Sequence, residues 1–253
     1  MGPALANKQR YLQLSQEPRQ VHTITDRFSM ANTYVIDGER MIVVDPGSEL
    51  NVRLALVYLR DFLHRTPTDI DLIVMTHLHP DQTAGVEMLR QICNAPIAAS
   101  IAVQNLAREE IREKQAIPGI TQFAEQVMRQ RTAPVALHHL NLFPPHYANQ
   151  VNMINLWLED VAGVPYHLSW RVIASPGHTP DSICLYNPFS YELLCGDTVM
   201  TIESGAPLLR GAVNRRQLEE TLRTLRSLNV YYLYPGHGRP ILSKRPLENI
   251  VVE

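Results

Sequence analysis

Short apolar runs, each cut off by turn residues, open the patterned part of the chain at Val21–Phe28, Asn32–Ile36 and Met41–Val44. Asp37-Gly38 separates the second from the third, so the pattern predicts a strand followed by a hairpin. Asp45-Pro46-Gly47 is a turn signal, and Ser48 stands where a helix N-cap belongs. Leu50, Leu54, Val57, Tyr58 and Leu63 then recur at roughly 3.6-residue spacing and mark a helix. Ile70–Met75 is almost continuously apolar, the pattern of a strand buried on both faces. Thr83–Cys93 predicts another helix and Pro96–Ala99 another strand.

The second half repeats the theme. Trp170–Ala174, Ser182–Tyr186 and Glu192–Cys195 read as strands, Arg216–Leu228 as an amphipathic helix, and Val230–Tyr234 as a final strand. Strands flanked by helices imply a layered α/β arrangement. Between the halves, helical patterns at Ile101–Gln115, Ile120–Arg131 and Ala148–Val161 are broken by Pro118, Pro134, Pro144-Pro145 and Pro165. That stretch has little room for a core of its own. The expected organisation is an N-terminal extension over 1–20 and a single domain over 21–253, with a helical insertion at about 100–167.

Composition narrows the class. Of 253 residues, 45% are hydrophobic and 19% charged, the balance of a globular protein with a substantial core. A net charge of -2 without any lysine/arginine run argues against a nucleic-acid partner. Cys93, Cys184 and Cys195 are too scattered for a disulfide framework or a Cys-x-x-Cys zinc site, and the last two, in apolar runs, read as buried thiols. Met1–Arg10 lacks a signal-peptide core. No stretch approaches the roughly 20 apolar residues of a membrane span, so the expected setting is the cytoplasm, away from membranes.

The chemistry concentrates at strand ends. His77 and His79, in Met75-Thr76-His77-Leu78-His79-Pro80-Asp81-Gln82, lie two apart on extended chain, so both imidazoles point one way. Pro80 then breaks the strand, and the turn swings Asp81 and Gln82 toward the same region. Imidazole and carboxylate are the usual ligands of a catalytic zinc-like ion. Three more predicted strands end in Gly/Pro turns with such groups: His178 in Ser175-Pro176-Gly177-His178-Thr179-Pro180, Asp197 in Cys195-Gly196-Asp197, and His237 in Tyr234-Pro235-Gly236-His237-Gly238. Any one of them could simply satisfy a turn. Four together point to a shared site.

These motifs, with Asn32-Thr33-Tyr34 and Val44-Asp45-Pro46-Gly47, resemble the metallo-β-lactamase superfamily over roughly Val21 to Leu242. The resemblance implies a four-layer αβ/βα sandwich. It assigns His77, His79 and His178 to a first metal position, Asp197 to a bridge, and Asp81 and His237 to a second position. Asp45 corresponds to the family's ligand-orienting aspartate, or else only starts its turn. The implied cofactor is zinc, one ion or two, with iron or manganese as alternatives. The implied activity is hydrolysis of an ester-like bond (a lactone, thioester or related acyl compound) by metal-activated hydroxide, with Asp81, His237 and Asp197 as the catalytic groups.

Two positions depart from the family pattern. Gln82 replaces the histidine of His-x-His-x-Asp-His, and an amide oxygen is a weaker ligand than imidazole. Gln82 could be a tolerated ligand, the mark of a one-metal enzyme, or a sign of lost catalysis. Asp181 stands where glycine is common, either as a turn residue or in the pocket lining. A mono-iron persulfide dioxygenase-like enzyme on His77, His178 and Asp197 is the alternative activity, and a non-catalytic binding protein a third reading. No Gly-x-Ser-x-Gly elbow or phosphate loop supports other chemistries. The expected partner is a small molecule with an apolar acyl part, and a homodimer is an open expectation. Phe123, Val127, Met128, Leu142, Phe143, Tyr147, Met153, Ile154 and Trp157 either cap the substrate or pack onto the sandwich or a second subunit. His138, His139 and His146 read as exposed or structural.

Overall fold

A computed structural model describes residues 21–27, 30–116, 146–201, 208–209, 212–248 and 250–252. Two six-stranded sheets stack face to face. The first comprises β1 (Val21–Thr25), β2 (Asn32–Ile36), β3 (Met41–Val44), β4 (Ile70–Val74), β5 (Ile97–Ser100) and β6 (Leu156–Leu158), paired in that order. β1 to β3 are antiparallel neighbours, and β3 to β6 run parallel. In the second sheet, β7 (Gly163–Val164), β8 (His167–Ala174), β9 (Ile183–Asn187) and β10 (Glu192–Gly196) form an antiparallel succession. β12 (Tyr232–Pro235) lies parallel to β10, and β13 (Ile241–Leu242) closes the edge; β11 (Leu208–Leu209) pairs separately with β14 (Val251–Val252).

Strand parity explains the layers, because successive side chains point to opposite faces. Tyr34, Ile36, Ile42, Val44, Leu72 and Val74 face inward and meet Trp170, Val172, Ile183, Leu185 and Leu194 of the second sheet. The intervening Val35, Met41, Val43 and Ile73 face outward, where Val52, Leu59, Leu89 and Val103 cover them. These come from α1 (Glu49–Tyr58, running on into a π turn at Leu59–Leu63), α3 (Val86–Cys93) and α4 (Ala102–Ala116). On the far side Cys184, Tyr186, Leu193 and Cys195 pack under Leu218, Leu222 and Leu225 of α6 (Arg215–Arg226). The result is the expected four-layer αβ/βα sandwich. Among the described residues no helix is long and apolar enough to cross a membrane.

Several expected elements differ. The Ser48 cap is present, with a capping box to Asn51, but α1 buries Asn51, Val52 and Ala55 instead of Leu50, Leu54 and Val57, which are exposed. The box and the Asn51 Nδ2 bond to the Ala31 carbonyl (3.2 Å) turn that polar face inward. The helix expected at Thr83–Cys93 begins only at Val86 (α3), after a separate single turn, α2 (Pro80–Thr83). Ala148–Val161 is not one helix: it gives α5 (Tyr147–Gln150), a 3-10 turn and strand β6 on the sheet edge. Leu156, Trp157 and Leu158 pair with Ala98, Ala99 and Ser100, a partnership that overrides local helical periodicity. Val230–Tyr234 begins as a strand only at Tyr232, and it is not the last.

The expected helix Ile120–Arg131, with Phe123, Val127, Met128, Leu142, Phe143, His138 and His139, lies outside the described residues. Of the neighbouring apolar side chains, Tyr147 and Ile154 join the outer core of the first sheet, and Met153 and Trp157 pack against it. His146 is half exposed, 3.7 Å from Glu110. Cys93, Cys184 and Cys195 are free, buried thiols.

Candidate metal centre

Five strand ends converge at one rim of the sandwich. Asp45 follows β3, Thr76 to His79 follow β4, His178 follows β8, Asp197 follows β10 and His237 follows β12. Backbone bonds stitch the rim across the two sheets: Ile183 N–H donates to the Thr76 carbonyl at 2.9 Å, and Asn32 N–H to that of Gly236 at 2.8 Å. The Asn32 amide also donates to Pro235 (2.8 Å) and Gly238 (2.7 Å), so the turn carrying His237 is tied on both sides. Two glycines make the approach possible. Gly177, at φ +139°, backs onto α6 so closely that a Cβ would lie 2.5 Å from Leu218. A Cβ at Gly236 would overlap Asp197 Oδ1 and crowd Gln82 Nε2.

His77, His79, His178 and Asp197 are all buried and each offers a ligand atom within 4.8 Å of the others. Asp197 Oδ2 is 3.7 Å from His77 Nε2 and 3.6 Å from His178 Nε2, while His178 Nε2 is 3.1 Å from His79 Nδ1. Donors about 2.0–2.2 Å from a tetrahedral ion are roughly 3.3–3.6 Å apart, so these spacings suit coordination. His77 Nε2 and Asp197 Oδ2 are buried without a hydrogen-bond partner. Buried polar atoms are otherwise satisfied as a rule, and a bound cation would satisfy both. The donor set fits a zinc-like ion.

The imidazoles are prepared as ligands. Burial pushes His77 well below its ordinary pKa and His79 down to about 4, so both are neutral near pH 7. Asp45 accepts from Thr76 N–H (2.8 Å) and from the Thr76 hydroxyl (2.7 Å), and that hydroxyl lies 3.1 Å from His77 Nδ1. Having given its proton to Asp45, the Thr76 oxygen can only accept from His77 Nδ1–H. This fixes the tautomer that leaves Nε2 with its lone pair. Asp45 sits at φ +50°, a strained backbone for a non-glycine residue. Burial pushes its carboxyl up to about 7, against the opposing pull of the Thr76 bonds. The orienting reading of Asp45 therefore has the geometry it needs, and Thr76, which sequence reasoning passed over, is its intermediary.

Asp81, Asp197 and His237 form a second buried cluster. His237 Nδ1 is 2.8 Å from Asp197 Oδ1, and its Nε2 is 3.2 Å from Asp81 Oδ2. Burial disfavours the imidazolium, but the two carboxylates outweigh it and raise His237 to about 10. Burial likewise works against the ionised Asp81 and Asp197, and His237 reverses it, holding both below their ordinary values. Gln82 is fully buried beside this cluster. Its Nε2 donates to the Gly236 carbonyl at 3.4 Å, while Oε1 has no hydrogen-bond partner. Asp181, in the turn between β8 and β9, is buried as well, accepting from Leu78 N–H and from the Tyr147 hydroxyl.

The model of the metallo-β-lactamase superfamily matches residues 26–237, and the chain belongs to that superfamily. Several of its relatives are named as probable metallo-hydrolases. A probable metallo-hydrolase of Methanocaldococcus jannaschii, MJ0888, is 28% identical over 82% of this chain and 87% of its own length. Another of Bacillus subtilis, YqjP, is 24% identical over 85% of this chain and 69% of its own. Among solved structures, TTHA1623 in a di-iron-bound form aligns at TM-score 0.58 and 21% identity, covering 90% of this chain and 96% of its own. A Cronobacter sakazakii metallo-β-lactamase with a HARLDQ motif aligns at TM-score 0.56 and 16% identity, covering 87% and 78%. With the family comes the class: this is a metallo-hydrolase of that superfamily.

Proposed function

We propose that the protein hydrolyses an ester-like bond, a lactone, thioester or related acyl linkage, in a small molecule with an apolar part. The observation that carries the reading is the first cluster: four buried ligands, three of them imidazoles, with His77 Nε2 and Asp197 Oδ2 left unsatisfied. A bound divalent ion there supplies Lewis acidity and lowers the pKa of water from 15.7 toward about 7.

The side chains divide the remaining work. His77, His79 and His178 would hold the ion through neutral imidazole nitrogens. Asp197 presents Oδ2 to the first cluster and Oδ1 to His237, so one carboxylate serves both. Asp81 orients the attacking water and takes its proton. While no ion occupies the second cluster, His237 between Asp81 and Asp197 is placed to return a proton to the leaving group.

Gln82 makes the two positions unequal. Its buried Oε1 is available as a neutral donor, weaker than imidazole toward a zinc-like ion. The first position is therefore the tight one and the second the weak one. The Asp-Gln ending of the Cronobacter sakazakii protein's named motif is the same pair as Asp81-Gln82 here, which supports this position as a variable one within the fold. Zinc is the proposed ion. The di-iron form of TTHA1623 makes iron the alternative to test beside it.

The test is turnover of a panel of lactones and thioesters by purified protein, metal-loaded and chelated, with His77→Ala in parallel. Loss of hydrolysis on chelation and in the variant is expected. Undiminished hydrolysis by the metal-free protein would overturn the proposal.

A further inference from the structure

Leu78 lies between two ligands of the first cluster, His77 and His79, and both of its backbone polar groups are taken by side chains from distant segments. Its N–H donates to Asp181 Oδ2 at 2.9 Å, and its carbonyl accepts from Gln150 Nε2 at 3.2 Å. The other Asp181 oxygen, Oδ1, accepts from the Tyr147 hydroxyl at 2.8 Å. Tyr147 and Gln150 belong to the single turn α5. α5 is itself tied to α4, because Glu110 Oε2 accepts from Ala148 N–H at 2.9 Å. Leu78, Asp181 and Tyr147 are all buried.

Histidines two apart on extended chain share the peptide planes between them. Rotating the Leu78 peptide groups swings both imidazoles and changes the bite they offer to an ion. In most loops such peptide groups face water and are free to turn. Here a buried carboxylate fixes one, where an unmade hydrogen bond is costly, and a half-buried carboxamide fixes the other. Burial and the neighbouring Asp181 hold the Tyr147 hydroxyl far above its ordinary pKa, so it stays a donor.

We propose that Asp181, braced by Tyr147, acts with Gln150 as a positioning device for the His77–His79 pair. The turn α5 thereby sets the geometry with which the first site grips its ion. The inference rests on the metal-centre reading above, and it assigns a role to the residue that stands where the family commonly has glycine.

Co(II) is the probe, because its visible absorption reports coordination geometry without any substrate. Wild type, Asp181→Ala and Asp181→Asn are titrated with Co(II), and their metal-free folds compared by circular dichroism and thermal melting. Asp181→Ala should weaken Co(II) binding about 10–100-fold, the range for partners that orient ligands, and shift the visible band. Asp181→Asn, whose Oδ1 can still accept from Leu78 while its amide donates to the Tyr147 oxygen, should restore the band and most of the affinity. A wild type that binds no Co(II) overturns the metal-centre reading and this inference with it. Co(II)-binding wild type and an Asp181→Ala variant alike in affinity and band overturn the positioning role alone. So does an Asn variant as impaired as Ala. If Asp181→Ala does not fold, Tyr147→Phe and Gln150→Ala carry the test: a shifted band supports the role, and unchanged spectra in both overturn it.

Discussion

The hydroxyl of Thr76 stands 3.1 Å from His77 Nδ1, with its own proton committed to Asp45 2.7 Å away. A hydroxyl in that position acts as a one-way acceptor and decides which nitrogen of His77 is left bare. Thr76→Val keeps the shape and removes the acceptor. It should weaken metal binding about 10–100-fold, as for other partners behind metal-ligand histidines, with little change in fold. Competition against a chromophoric chelator measures it, and equal affinities would dismiss the relay.

Gln82→His restores an imidazole beside the second cluster. Metal content under limiting supply should rise toward two ions per chain in the variant, while wild type fills one position well before the other. Isothermal titration with zinc resolves the steps. Identical two-step curves for both proteins would show that Gln82 does not set the difference.

A methyl group at Gly236 would overlap Asp197 Oδ1 and crowd Gln82 Nε2. Gly236→Ala should therefore displace the carboxylate shared by both clusters. Metal binding should fall more than thermal stability, because the clash lies at the rim and not in the core between the sheets. Retention of full metal content would contradict this placement.

The pH dependence follows from two histidines of opposite sign. His79 falls to about 4 in the fold from 6.5, so its contribution to the stability of the metal-free protein is present above pH 6.5 and lost as pH falls through 4. His237 rises to about 10 from 6.5, so its contribution is present below pH 6.5 and lost as pH rises through 10. Thermal melts of metal-free protein should show an alkaline decline that His237→Gln flattens. The same proton must leave before an ion occupies the second cluster, so binding there should strengthen with pH up to about 10, whereas His77 and His79 of the first cluster are already deprotonated and binding there should respond little between pH 6 and 9. A steep pH dependence at the first cluster would reverse these assignments.

The residues of the two clusters were legible in the sequence because each sits in a Gly- or Pro-marked turn after an apolar run, a local signal. The partner network behind them was not. Asp181 reaches Leu78 across 103 positions and Thr76 reaches Asp45 across 31, and no periodicity encodes such contacts. The inner faces of the strands follow parity and were readable as buried runs. The inward face of α1 was not, since the polar Asn51 is turned inward by its bond to Ala31 while Leu50, Leu54 and Val57 face out. β6 was missed for a related reason: three residues in helical company become strand only because β5 offers them an edge.

Anomalous scattering from crystals grown with zinc, recorded on both sides of the zinc absorption edge, tests the central claim most directly. The prediction is a strong peak about 2.0–2.2 Å from His77 Nε2, His79 Nδ1, His178 Nε2 and Asp197 Oδ2, with a weaker one between Asp81 and His237. A map with no peak among the three histidines, from protein that still hydrolyses its substrate, would contradict it.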